Sequence, residues 1–281
     1  MQIHALNLYP IKALGGLSLQ RAQLTTQGLA IPLGEDYLFD RQWMLINPEG
    51  KMVTQRQVPG LACLQPQILD QNLYLSAPGL EPILVQKAAA SAAKITSQVW
   101  KTPVEVQECS PLITQWLERA LPGLGLRLVS LAAKRPVQLE RFGPHSSTQV
   151  ADAAPYLVAN TASLTALNQA LTLEGQSCVD ARRFRANIWL EGLAPFAEHQ
   201  LSQLEGTGWA VRLVDHCQRC SVITVHPDQG TFCPNALPFK TLTRLNPMPN
   251  QLNAPAFGVN AVFERDTTAW IALGDGCYSN V

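Results

Sequence analysis

Charge is scarce in this chain. Charged residues make up only 15% of its 281 positions, and 21 basic side chains balance 21 acidic ones. A net charge of zero excludes the broad electrostatic footprint of a general nucleic-acid binder and leaves only local basic clusters to consider. No apolar run approaches the length of a membrane span, and the opening MQIHALNLYPIK lacks the basic-then-apolar order of a secretory leader. The chain also lacks a long polar tract, and its 47% hydrophobic content is that of a globular protein. It has no glycine-rich dinucleotide loop and no cysteine spacing for an iron–sulfur cluster. Its seven cysteines are an odd number, and Cys63, Cys109, Cys178, Cys233 and Cys277 stand singly, unlike a secreted disulfide framework. A soluble, cytoplasmic protein is expected.

What is present is mostly strand signal. Trp43 to Ile46, the turn Asn47-Pro48-Glu49-Gly50 and Lys51 to Gln57 form a hairpin pattern. Further strands are expected at Asn72 to Ser76, Leu126 to Leu131, Asn187 to Leu190, Trp209 to Val214, Ser221 to Val225, Val259 to Phe263 and Trp270 to Leu273. Two helices interrupt them. Ser110 caps the first, Pro111 sits in its first turn, and Leu112, Ile113, Trp116, Leu117, Ala120 and Leu121 form its apolar stripe. The second follows Asn160, with Leu164, Leu167 and Leu171 on one side. Lys87 to Lys94 fits either a loop or a short helix. Strands that do not alternate regularly with helices predict a mainly β fold with a few helices, built from β-barrel-like domains with a boundary near residue 130.

The chemistry-bearing signal is VDHCQRCSVITVHPDQG, from Val214 to Gly230. A structural zinc site takes four ligands, usually from two cysteine pairs, and only Cys217 and Cys220 are paired here. A redox C-x-x-C opens a helix, whereas Val222, Ile223, Thr224 and Val225 are β-branched. Two buried structural thiols remain an alternative. In an extended segment, positions i and i+3 face opposite ways, so one sulfur enters a given pocket. A lone thiolate suits a soft metal whose other sulfur ligands arrive with a cofactor.

Three other clusters bear on this. In DARRFRANI, a strand would put Arg183, Arg185 and Asn187 on one face, with Arg182 on the other: a fork of donors for a phosphate beside an amide for a heterocycle edge. A solvated basic rim is the alternative. Lys12 in YPIK and the Asp40-Arg41 pair each have an ordinary surface role as their alternative.

Taken in order, LNLYPIKALGG, TTQGL, DRQWMLINPEGKMVTQRQVPGL, ADAAPYLVANTASLTALN, RRFRANIWLEG, CQRCSVITVHPDQG, KTLTRL, FGVNAVF and ALGDGCY resemble the MOSC family. The two-domain type is meant, as in the mitochondrial amidoxime-reducing component and bacterial YcbX proteins. The resemblance implies an N-terminal β-barrel-like domain over residues 1–130, a MOSC domain over 131–281, and a molybdenum cofactor (Mo-molybdopterin) between them. It also implies Cys220 as the catalytic thiolate on molybdenum. Lys12, Arg41 and Arg185 would face phosphate and pterin, Asn187 the pterin edge, and Asp152, Ala153 and Ala154 would approach through their backbone, with Gln218 beside them. Ala13, Ala153 and Ala154 replace hydroxyl residues of relatives and leave only N–H groups there. His226 replaces an acidic residue and becomes a candidate proton donor. No ferredoxin-like module is expected after the MOSC domain.

The resemblance favours a molybdenum oxidoreductase that reduces amidoximes, hydroxylamines and N-hydroxylated bases. Its electrons would come from a separate partner, a flavoprotein reductase acting directly or through a haem or iron–sulfur carrier. A cofactor carrier or sulfur-relay module, or a structural protein, would use the same motifs differently.

Overall fold

The computed structural model describes residues 1–89, 91–133, 135–136, 138–144, 146–265 and 267–279. Strands dominate, as expected, and sort into five sheets. The largest runs in the order Gln203–Gly206, Trp209–Gln218, Gln251–Val262, Tyr156–Asn160, Ile188–Glu191, Gln2–Leu8 and Leu17–Leu19, with Pro247–Met248 joined to the side of Gln251–Val262. A five-stranded sheet carries the anticipated hairpin, Trp43–Ile46 against Met52–Val53, with Leu45 opposite Val53. Its second strand is shorter than the sequence suggested. Thr54 to Gln57 turn away instead, with the Gln57 side chain accepting from both the N–H and hydroxyl of Thr54.

The two ends of the chain are exchanged between its halves. Gln2–Leu8 pairs antiparallel with Ile188–Glu191, deep in the second half, while the late strand Ala269–Ala272 pairs with Arg21–Thr25 of the first. One continuous apolar core consequently runs from Ile3 to Cys277. Tyr156 adds a staple across the halves: its buried hydroxyl donates to the Thr25 carbonyl at 2.6 Å and accepts from the Thr25 N–H at 2.7 Å. Burial pushes the phenol's pKa well above its usual value.

Both expected helices form. Pro111–Ala120 is capped by the Ser110 hydroxyl, which accepts from Leu112 N–H, and buries Ile113, Trp116 and Leu117. Leu112 is 63% exposed and does not belong to the buried stripe. Thr161–Leu173 is capped by Asn160 and crosses between the parallel strands Tyr156–Asn160 and Ile188–Glu191. Residues 87–89 and 91–93 form neither helix nor strand, and Ala90 lies outside the described residues.

The cysteine segment departs most from expectation. The strand Trp209–Gln218 ends between the cysteines, and Ser221–Thr224 is a 3-10 turn, not a strand. Two register breaks against Gln251–Val262 lie between Leu213 and Asp215 and between His216 and Gln218. Such bulges turn side chains away from strict alternation. Gly258 makes the second one possible: its φ is +73°, and a Cβ there would come within 2.5 Å of the Val158 carbonyl oxygen.

Candidate functional site

One cavity of about 330 Å³ collects Lys12, Arg41, Asp152, Ala153, Ala154, Arg185, Asn187, Gln218 and Cys220 along its wall. These residues come from five separate stretches of sequence. His226 is not among the lining residues. Its ring Nδ1 accepts from Asp228 N–H at 3.3 Å in the turn that follows.

Lys12 is 6% exposed and is no ordinary surface lysine. Its ammonium donates to the Val150 carbonyl at 2.8 Å and to Asp152 Oδ1 at 2.5 Å. Burial lowers its pKa, and Asp152 works in the other direction. Trp100 Nε1 donates to the same carboxylate at 2.6 Å. The Asp152 side chain stays 62% exposed at the cavity; desolvation by its neighbours disfavours the ionised form, but Lys12, Trp100 and Arg41 outweigh it and bring its pKa down to about 2. Arg135 pins the approach by donating to the Gln149 and Ala151 carbonyls.

Asp40 and Arg41 are not a surface pair either. Asp40 is 2% exposed; one carboxylate oxygen accepts from Tyr9 N–H at 2.8 Å and the other from Arg41. Arg41 also donates to the Arg185 carbonyl at 2.9 Å and to Asn187 Oδ1 at 3.2 Å. The guanidiniums of Arg41 and Arg185 both lie against the ring of Tyr9, at 4.7 and 4.3 Å from its centroid. Tyr9 thus sets the spacing of two like charges. Ala13, Arg41 and Arg185 all have left-handed backbones, with φ of 70°, 50° and 55°. Conformations of this kind cost roughly 1–3 kcal/mol each and persist where the surroundings over-determine them.

The strand geometry expected for DARRFRANI is overturned. Ala181–Phe184 is a 3-10 turn and Arg185 ends it in the left-handed region, so the three arginines diverge. Arg182 lies on the surface between Asp180 and Asp228. Arg183 turns inward to the carbonyls of Ile223 and Val225 and to Cys233 Sγ. Only Arg185 reaches the cavity wall, where burial and then the charge of Arg41 lower its pKa to about 10. Asn187 lines the cavity too, but its amide is engaged within the protein. It donates to the Asn7 carbonyl at 3.2 Å and accepts from Leu157 N–H at 3.1 Å, besides Arg41.

Both cysteines of the pair border the cavity, because the bulged strand end replaces the alternation that would have separated them. They differ in partners. Cys217 accepts from Arg219 Nη1 at 3.1 Å, while Cys220 is an exposed free thiol. Among the described residues, no three His, Cys, Asp or Glu side chains converge as an all-protein metal site would. A metal at Cys220 therefore needs further ligands from outside the chain.

Electrostatically the cavity is lopsided. Among the described residues, Lys12, Arg41, Arg56, Arg141, Arg185 and Arg219 share the lining with one carboxylate, Asp152. Asp40 and Asp215, just behind, answer Arg41 and Arg141. Among the described residues, Arg185 Nη2 and Arg219 Nε are buried without a hydrogen-bond partner. Buried donors of that kind are costly, and both belong to residues of the cationic wall.

Two family models cover most of the sequence: the MOSC N-terminal beta barrel domain matches residues 1–122 and the MOSC domain matches residues 145–278. Human mitochondrial amidoxime-reducing component 1 is 31% identical over 282 residues, which is 96% of this chain and 80% of that protein. This chain belongs to the MOSC family. Within the family it is also similar to bovine mitochondrial amidoxime reducing component 2, at 29% identity over 98% of this chain and 82% of the relative. The molybdenum cofactor sulfurase of Drosophila grimshawi is 29% identical over 84% of this chain, but that match spans only 30% of the sulfurase. The MOSC chain's cavity also uses residues that sequence reasoning passed over. Arg219 stands inside the CQRC motif and could have been found there. Gln55 and Arg56 lie in the stretch read as a hairpin strand and Trp100 carries no local signal; folding brings all three to the wall.

Proposed function

We propose that this MOSC protein holds a molybdenum cofactor in the cationic cavity, with Cys220 as its thiolate ligand to the metal, and reduces N-hydroxylated compounds such as amidoximes, hydroxylamines and N-hydroxylated bases. One observation carries the reading: Arg185 and Arg219, each with a buried nitrogen unmatched among the described residues, line a cavity whose wall includes the exposed thiol of Cys220. That donor set suits a ligand with an anionic phosphate and a soft metal needing one protein sulfur. When bound, the cofactor supplies the dithiolene sulfurs and the two-electron redox chemistry.

The protein's part is to bind and orient. Arg185 and Arg219 would hold the phosphate, and Asp152, Ala153 and Ala154 would offer their backbone to the group. Asp152 holds Lys12 in place, and Cys217 serves as a positioning residue through its contact with Arg219. Asn187 also acts indirectly, by holding Arg41 and the strand beginning at Tyr156. Electrons come from a separate flavoprotein reductase, directly or through a haem or iron–sulfur carrier. Zero net charge favours a weak and transient encounter over strong steering.

The exposure of Cys220 and the likeness to the sulfurase support a second reading, a carrier or sulfur relay, which needs an accessible thiolate. A single assay separates the two. Protein purified from a host that makes the cofactor should contain molybdenum and pterin and reduce an amidoxime with reduced viologen dye. It should not do so with NADH or NADPH until a reductase partner is added. Dye-driven silence at full molybdenum occupancy would transfer the assignment to the carrier reading, and nicotinamide-driven turnover by the chain alone would remove the need for a partner.

A further inference from the structure

A second opening, of about 700 Å³, adjoins the cationic cavity and shares Gln218, Arg219 and Cys220 with it. Its character is different. Phe232, Phe239, Ala236 and Ala254 supply apolar wall, while Asn253 and Gln251 supply neutral hydrogen-bonding groups. Among the described residues, no carboxylate lines it, and Arg219 is its one charged group.

The aromatic wall is held in place by backbone. Phe232 sits opposite Val225 in an antiparallel bridge. The flanking bonds Cys233 N–H to the Thr224 carbonyl, at 2.7 Å, and His226 N–H to the Thr231 carbonyl, at 2.8 Å, close the same loop. The ring itself remains 47% exposed. Phe239 opens the helix Phe239–Leu245 and packs against the core cluster around Phe184 and Phe257. Two phenyl rings are thus fixed in the wall of an opening that shares the Cys220 thiol with the cationic cavity.

We infer that this opening, given the reductase reading on which the inference rests, is the substrate pocket, and that it selects neutral, planar aromatic N-hydroxylated compounds over cations. The phenyl faces offer stacking to an aromatic ring, and Asn253 and Gln251 can orient an N–OH or NH2 group by accepting or donating. A cation finds no carboxylate and meets the positive charge of Arg219. The reaction itself exploits that difference. An amidoxime, R–C(=NOH)–NH2, is neutral at pH 7. It takes two electrons from the partner reductant and two protons, its N–O bond breaks and water leaves, and the amidine R–C(=NH)–NH2 remains. The amidine takes up a further proton to become a cation. The pocket therefore holds the substrate better than its product, which assists release.

The test is a pair of binding titrations on protein purified from a cofactor-making host, with benzamidoxime and benzamidine as probes at pH 7. The wild type should bind benzamidoxime about tenfold more tightly than benzamidine. Phe232→Ala should weaken benzamidoxime about tenfold, because it removes an exposed stacking face without opening the core. Asn253→Asp adds a carboxylate of the same shape and should strengthen benzamidine about fivefold. Equal wild-type affinity for the two probes, or indifference to both substitutions, would overturn the assignment. Dye-driven turnover of acetamidoxime, measured in parallel, reports on the reductase reading separately. Its absence with the binding pattern intact sinks the reductase and leaves a neutral-aromatic site. Its presence with the binding pattern lost sinks only the pocket.

Discussion

Lys12 and Arg41, from the first half of the chain, enter the cationic cavity with their charges already answered, by Asp152 and by Asp40. Arg185 and Arg219, from the second half, enter it with buried nitrogens that no described residue satisfies. The first pair belongs to the architecture: Asp40 ties Arg41 to the backbone of Tyr9, and Lys12 ties the opening loop to Val150 and Asp152. The second pair is only partly engaged within the protein: Arg185 donates to the Leu14 carbonyl and Arg219 to the Phe184 carbonyl, and one nitrogen of each stays unmatched. The contrast teaches that removing a first-half ion pair should register in the stability of the protein alone, whereas removing Arg185 should register mainly in the retention of a ligand.

The largest effect is expected at Cys220, which both openings share. Cys220→Ser should purify folded but with molybdenum largely lost or activity gone, since a hydroxyl is a much poorer ligand for a soft metal. Cys217→Ser should be milder, because that thiol is engaged within the protein, accepting from Arg219 and donating to the Gln218 carbonyl. Metal content and dye-driven activity measured side by side decide the matter, and equal values for wild type and Cys220→Ser would remove the metal-ligand role.

Next comes the contrast among the arginines. Arg185→Ala should weaken cofactor retention by about 2–4 kcal/mol, the range for breaking a charged contact in a buried site. Arg182→Ala removes only surface contacts to Asp180 and Asp228 and should change retention by less than about 0.5 kcal/mol. Pterin content after extended dialysis reads both. Similar losses in the two variants would contradict the divergence of the side chains, and a large fall in the melting temperature of cofactor-free Arg185→Ala would make Arg185 architectural like Arg41.

The smallest effect is expected in acid. The pKa of Asp152 is about 2 in the folded protein, below the usual 3.8. A depressed carboxylate contributes stability that is fully present above the unfolded value and is lost as pH falls through the folded one. The advantage of wild type over Asp152→Asn should thus hold down to about pH 4 and fade towards pH 2. Because the side chain is 62% exposed, solvent screening reduces the expected size to about 1 kcal/mol. Denaturant midpoints across that range measure it, and a difference that does not change with pH would mean the Lys12 contact contributes nothing electrostatic.

The local elements were legible because their causes are local. Ser110 and Pro111 start one helix and Asn160 another, each through contacts within a few residues, and the Pro48–Gly50 turn makes its hairpin in the same way. The residue types of the site were legible as well: YPIK, the Asp-Arg pair, FRAN and CQRC all contribute side chains to one wall. What could not be read was direction. The alternation argument for Arg183, Arg185 and Asn187 holds only in a strand, and Arg183 is drawn out of one by carbonyls 40 and 42 residues away. The β-branched run after Cys220 has strand propensity, yet it follows a bulged strand end and folds as a 3-10 turn that buries its own Ile223 in the core. Asp152 meets Lys12 across 140 residues and Trp100 across 52, and the end strands pair with the opposite halves of the chain. Composition, caps, turns and the identity of the chemical groups are properties of neighbouring residues, and sequence by itself determined them. The direction of each guanidinium, the nitrogens left without partners and the neutral pocket beside the charged one depend on how distant segments pack, and only the tertiary structure decided them.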